Sequence, residues 1–188
     1  ATVLYKLYKE NNIKIEKNIA ILALSAIISD TLLFKSPTCT NEDKIASKEL
    51  EKIAGIDINK YGLEMLKAGT NLSDFSEEEL INIDAKKFEK GTVKFEIAQV
   101  NTVDIEELLK KQQKIEEAIK KEIEKNKLDL FVFAITDILN SNSEILVLGE
   151  RKDAVEKAFN IKLQNNRAFL PGVVSRKKQI LPNIDQNI

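Results

Sequence analysis

The chain has 188 residues, 43% of them apolar and 31% charged, and its 29 basic and 30 acidic side chains leave a formal net charge of -1. That balance excludes a global field able to draw nucleic acid, so basic groups matter only where they cluster. With no histidine and a single cysteine, Cys39, a zinc site built from this chain alone is close to excluded, an internal disulfide is impossible, and a reducing, cytoplasmic compartment is expected.

In chain order, Ala1 to Lys9 opens inside a helical pattern without a cap, as if entered partway through a domain, and the helix breaks at Asn11-Asn12. A second helix is expected from about Glu16 to Thr31. Its apolar run Ile19–Ile28 is ten residues long, too short for the roughly 18 needed to span a bilayer, so no membrane partner is expected and burial over most of its circumference is. Lys35-Ser36-Pro37-Thr38 forces a loop, with Cys39 read as a small filler beside it. Thr40 followed by Asp43 reads as a capping box for a helix with Ile45, Ala46, Leu50 and Ile53 inward, ended by Gly55. A short helix from Tyr61 to Ala68 stops at Gly69. The stretch Gly69-Thr70-Asn71-Leu72-Ser73-Asp74 is small, polar and aperiodic, and marks a linker.

Beyond it the pattern turns to α/β. Ser76 with Glu79 caps a short helix to about Asn82. Val93, Phe95 and Ile97 alternate with Lys94 and Glu96, which predicts a half-buried strand over 92–100. Asp104 and Glu107 open a long helix with Ile105, Leu108, Leu109, Ile115, Ile119 and Ile123 inward. Leu128 to Ile135, interrupted only by Asp129, predicts a central strand covered on both faces. After Ser141-Asn142-Ser143, a strand at Ile145–Leu148 and a short helix over 151–158 complete the pattern.

Three groups could carry chemistry. Asp30 ends the apolar run of the second helix; end-of-helix acids are usually solvated, but a fixed carboxylate is also a hard oxygen donor for Mn²⁺ or Mg²⁺. Lys86, in Ile83-Asp84-Ala85-Lys86-Lys87-Phe88, reads alone as surface lysine. Arg176-Lys177-Lys178 follows a Pro171-Gly172 break, and a planar fork beside mobile point charges suits the oxygens of a compact polyanion. With no histidine to move protons, phosphate chemistry must rest on carboxylates or on histidines outside this chain.

Taken together, several segments resemble the family II, manganese-dependent inorganic pyrophosphatases of the DHH phosphoesterase superfamily. They are Ser29-Asp30-Thr31-Leu32-Leu33-Phe34-Lys35-Ser36-Pro37-Thr38, Tyr61-Gly62-Leu63-Glu64-Met65-Leu66-Lys67-Ala68-Gly69 and Asp84-Ala85-Lys86. To these add Ala98-Gln99-Val100-Asn101-Thr102-Val103-Asp104, Thr136-Asp137-Ile138-Leu139, and Gly172-Val173-Val174-Ser175-Arg176-Lys177-Lys178-Gln179. The resemblance implies an α/β fold: the helical C-terminal half of a DHH domain (1–68), a flexible linker (69–75), and a DHHA2 domain with a mixed sheet (76–188). It implies metal-dependent hydrolysis of pyrophosphate to two phosphates, with Asp30 as a metal ligand and Lys86, Arg176 and Lys177 gripping the substrate. Mn²⁺ is the implied cofactor, with Mg²⁺ or Co²⁺ as substitutes, and the implied assembly is a homodimer through the DHH domain. The family's His-x-x-x-Asp-x-Asp and Asp-His-His motifs, which supply its other metal ligands, have no counterpart here, so the chain reads as the C-terminal portion of a longer enzyme, inactive alone. Two alternatives stand beside this reading: an exopolyphosphatase or other DHH–DHHA2 phosphoesterase, and a non-catalytic anion-binding module. Nucleic-acid binding is not expected.

Overall fold

Nine short helices and five strands account for the periodicities of the sequence in the computed structural model, which describes residues 1–70, 72 and 74–188. Asn71 and Ser73, which fall in the expected linker, lie outside the described residues. The chain divides into two compact units, Ala1–Gly69 and Thr70–Ile188. Among the described residues no helix is long and apolar enough to cross a membrane.

The first unit is wholly helical: α1 (Thr2–Glu10), α2 (Lys17–Thr31), α3 (Asn41–Ala54) and α4 (Ile58–Ala68). Its core is one cluster in which Leu24, Ile27 and Ile28 of α2 meet Leu50 and Ala54 of α3, Tyr5 of α1 and Ile58 of α4. The capping box of α3 forms as its sequence demands: Thr40 Oγ1 accepts from Asp43 N–H, and Thr40 N–H donates to Asp43 Oδ2 at 2.8 Å. Two packing expectations fail. On α3, Ile45 and Ile53 are exposed, and the buried row is Ala46, Ser47, Leu50 and Ala54. The small residues of this row, Ala46, Ser47 and Ala54, let α2 approach closely around Leu50, and that turns the two isoleucines onto a flank. On α2, Leu22 is 67% exposed, so the helix is buried along one stripe rather than most of its circumference.

The second unit is a mixed five-stranded sheet in the order β1-β2-β3-β4-β5, and the α/β class with a mixed sheet holds. The strands are β1 (Ala85–Lys90), β2 (Val93–Thr102), β3 (Leu130–Asp137), β4 (Asn142–Gly149) and β5 (Arg167–Pro171). All neighbours are antiparallel except β2 and β3, which run parallel and therefore need a crossover. That crossover is helical, but the single long helix expected there is two, α6 (Ile105–Leu109) and α7 (Gln112–Asn126), parted at Lys110-Lys111. The preceding α5 is Glu77–Leu80 and the following α8 is Lys152–Phe159.

Strand β3 is the centre of the core. Phe131, Phe133 and Ile135 face Leu108, Ile115 and Ile119 of α6 and α7. Leu130, Val132 and Ala134 face Val155 of α8 together with Ile180 and Ile184 near the C-terminus. Each buried phenylalanine contributes about 2–3 kcal/mol of transfer free energy. The expected half-buried β2 is instead covered on both faces through Phe95-Glu96-Ile97-Ala98, all four buried. Glu96, expected outward by alternation, points under α7, because the helix covers the face that a two-sided antiparallel strand would leave wet. Strand β1 carries too few apolar residues, and β5 is too short, to have been read from period alone.

Candidate anion-binding site

The Pro171-Gly172 break works as its chemistry requires. Pro171 ends β5, and Gly172 takes φ +71°, a left-handed turn costing glycine little. The chain then runs through Val173-Val174-Ser175 into a five-residue π-turn, Arg176–Ile180. Ser175 C=O accepts from Gln179 N–H at 2.9 Å and Ile180 N–H at 3.2 Å, while Ser175 Oγ accepts from Lys178 N–H at 3.3 Å. Ile180, fully buried, anchors the turn to the sheet, and α9 (Leu181–Asp185) follows.

Two glutamines fasten this loop. Gln179 Oε1 accepts from Val174 N–H (2.9 Å) and Ser175 N–H (3.1 Å), and its Nε2 donates to Gly172 C=O at 2.8 Å. Gln99, on β2, donates from Nε2 to Thr136 Oγ1 (2.8 Å) and Val174 C=O (3.1 Å), and its Oε1 accepts from Arg176 N–H at 3.1 Å. Thr136 Oγ1 lies 2.9 Å from Ser143 Oγ, which donates to Val173 C=O at 2.7 Å. Both glutamine amides are engaged at oxygen and nitrogen alike, so the loop is held by a polar network rather than by apolar packing alone.

The structure brings Arg176 and Lys86 to one region of the sheet. Arg176 folds back over the β1–β2 pair: Nη2 donates to Asp84 Oδ1 at 2.8 Å, and Nη1 donates to the carbonyls of Asp84 and of Ile97, the latter at 3.3 Å. Lys86 stands opposite that same Ile97 in the β1–β2 register. Cross-strand partners share a face, so Lys86 projects on the side that carries the π-turn. Lys86 and Lys177 are exposed and make no ion pair among the described residues, whereas Arg176 is only 11% exposed along its side chain. The arrangement offers a fixed fork beside two mobile ammonium groups, which is how a phosphate-bearing anion is held in water.

Asp30 lies in the first unit, in the last turn of α2, and is exposed. Beyond it Leu32, Leu33 and Phe34 all take left-handed φ values of 47°, 51° and 66°. Thr31 secures that path: its Oγ1 donates to Ile27 C=O at 2.7 Å and accepts from Phe34 N–H at 3.2 Å. Asp30 lines a cavity with Thr2, Ile27, Thr38 and Asp43. Burial pushes the Asp43 carboxyl up, but hydrogen bonds from Thr2 and Thr40 outweigh it and hold the group below its usual range. Among the described residues no three His, Cys, Asp or Glu side chains come together as metal ligands would. Asp30 therefore fits one oxygen donor but not a complete metal site. Among the described residues Cys39 Sγ reaches only Thr40 C=O, at 3.6 Å, and burial raises its thiol pKa, which suits a filler rather than a nucleophile.

Asp84, Gln99, Thr136, Ser143 and Gln179 carry no role in the sequence reading. The available signal was polar side chains set inside apolar strand runs, as at Gln99 and Thr136, where a buried amide or hydroxyl must find a partner.

Residues 63–187 match the family model described as the DHHA2 domain. The chain is 60% identical to the manganese-dependent inorganic pyrophosphatase of Bacillus subtilis strain 168 over 182 residues, 97% of this chain and 59% of the relative. A Bacillus velezensis protein is similar to the same degree over the same shares of both chains. Among solved structures, a Methanococcus jannaschii protein assigned by its name to the family II inorganic pyrophosphatases superposes with a TM-score of 0.88 at 42% identity, covering 99% of this chain and 63% of that one. The chain thus spans about three fifths of the length of the curated relatives it matches.

Proposed function

This chain belongs to the DHHA2 domain family, and from that premise we propose that it supplies the substrate-gripping cations of a manganese-dependent inorganic pyrophosphatase. The observation that carries the reading is the loop around Arg176, clamped by Gln99 and Gln179 so that Arg176, Lys177 and Lys86 can converge on one anion. The names of the relatives support pyrophosphate as that anion.

In this reading Arg176 binds two oxygens of one phosphoryl group, and Lys86 and Lys177 neutralise the remaining charge and that of the departing phosphate. Phosphoryl transfer asks mainly for positioning and charge stabilisation, and fixed cations supply both. Residues 76–188 act as the DHHA2 domain, 69–75 as the linker and 1–68 as part of a DHH domain. Asp30 contributes a single carboxylate oxygen to Mn²⁺, and the other ligands lie outside this chain, which is accordingly inactive alone. The setting is cytoplasmic and the assembly a homodimer.

Arg176→Ala is expected to lower pyrophosphate affinity and turnover by about a hundredfold, with Mn²⁺ affinity unchanged. The deciding assay is Mn²⁺-dependent phosphate release from pyrophosphate, on this chain and on one extended upstream to the length of its relatives. Silence alone with activity when extended supports the proposal. Activity from this chain by itself overturns the assignment of the missing ligands, and silence in both forms overturns the function. The absence of a metal cluster among the described residues favours one second reading, a non-catalytic anion-binding module. That reading predicts Arg176-dependent pyrophosphate binding with no hydrolysis in either form.

A further inference from the structure

The contacts of Arg176 are unequally distributed, and Asp84 holds most of them. A guanidinium has five N–H donors. Three are committed inside the chain, two to Asp84 (its carboxylate and its carbonyl) and one to the Ile97 carbonyl. They are the two Nη1 hydrogens and one on Nη2. What remains is the Nε hydrogen and the second hydrogen of Nη2, which together form one complete edge of the planar fork.

Asp84 is well placed to fix that edge. It stands at the head of β1, and its carbonyl also accepts Gln99 N–H at 3.0 Å, so its backbone is pinned to the sheet ladder. Gln99 meanwhile holds the main-chain N–H of Arg176 at 3.1 Å. The arginine is thus gripped at both ends of its side chain, by two residues that are themselves fixed to β2. A free arginine side chain must give up its rotamer entropy on binding; here most of it is surrendered on folding.

We propose that Asp84 is a positioning residue for Arg176: it occupies one edge of the guanidinium so that the opposite edge, Nε with Nη2, is presented to two oxygens of a single phosphoryl group. The inference rests on the reading of Arg176 as a pyrophosphate-binding residue. It assigns Asp84 no contact with substrate, and it restricts Arg176 to one phosphoryl group, leaving the other to Lys86 and Lys177.

The test uses the full chain, pyrophosphate as probe, and calorimetry together with ¹⁵N NMR of arginine side chains. In the wild-type chain the Arg176 Nη resonances are expected to be resolved by hindered rotation, and the Nε–H resonance to shift on pyrophosphate addition. Asp84→Ala keeps both main-chain carbonyls but removes the carboxylate, and is expected to average the Nη2 resonances and to weaken pyrophosphate binding about tenfold. Asp84→Asn, which keeps an acceptor for Nη2 without the charge, is expected to lose about threefold. Asp84→Ala placed in an Arg176→Ala background should cost nothing further.

Equal losses with and without Arg176 would show that Asp84 acts elsewhere and overturn the inference alone. Unchanged Nη resonances in Asp84→Ala would do the same. Wild-type pyrophosphate binding by Arg176→Ala would overturn the substrate-site reading itself, and the inference with it. Circular dichroism separates these outcomes from misfolding, and the isosteric Asp84→Asn keeps the test open if the alanine variant unfolds.

Discussion

Single residues show where the chain spends polarity inside its core. Glu96 is 2% exposed, and its Oε2 has no hydrogen-bond partner among the described residues. Burial raises its carboxyl pKa, Lys87 and Lys125 pull the other way, and Glu122 adds to the rise. A carboxyl whose pKa is higher folded than unfolded holds its proton better in the folded state. Its stabilising effect is therefore complete below the unfolded value and is lost as pH rises through the folded one. Glu96→Gln is expected to be nearly neutral below the ordinary glutamate pKa and to raise Tm increasingly as pH climbs above it, read as the difference from wild type across a pH series of thermal melts. A constant difference at all pH values would mean that the Glu96 carboxyl has the same pKa folded and unfolded. At this scale the sequence was partly legible: Arg176 and Lys177 stood out by charge and by the Pro-Gly approach, whereas Lys86 reads alone as a surface lysine and is singled out only by the family resemblance. Asp84 did not, because its meaning depends on a partner 92 positions away, and no local pattern carries that separation.

Elements were legible where their signals are local. The Thr40 and Ser76 capping boxes, the Gly55 stop and the apolar run of β3 need only neighbours in sequence to be understood. The edge strands β1 and β5 were not, since their strand character is imposed by pairing to β2 and β4. Nor was the break between α6 and α7, because the apolar period runs on across it. Gly149 shows how an element's end can hang on one position. It takes φ +114°, and a Cβ there would lie 2.4 Å from the Asp129 carbonyl oxygen. That oxygen already accepts from Glu150 and Arg151 N–H, and Asp129 N–H donates to Lys94 C=O at 2.7 Å. Neither backbone can yield without opening the knot. Gly149→Ala is expected to destabilise the second unit by about 3 kcal/mol or more, seen as a lower urea midpoint with the α3 cap and the rest of the first unit unaffected.

Across the whole molecule, stability is unevenly shared. The second unit buries β3 from Leu130 to Thr136 between two clusters, whereas the first relies on one cluster and leaves Val3, Leu4, Leu22 and Ile45 well exposed. Native-state hydrogen exchange is expected to rank the amides of Leu130–Ile135 slowest, with those of α1 and α2 exchanging at markedly lower free energy. Equal protection in both units would contradict that ranking. The strand order carries a consequence of its own. Because β1 to β5 lie in the sheet as they lie in the chain, each strand leaving the ribosome finds its partner already made. The segment carrying Arg176 is the exception, for it reaches back to Asp84 and Gln99 across the β1–β2 pair. A nascent chain can therefore complete its whole sheet, β5 included, before Arg176 has been made, and the contacts that pin that arginine to Asp84 and Gln99 can form only afterwards.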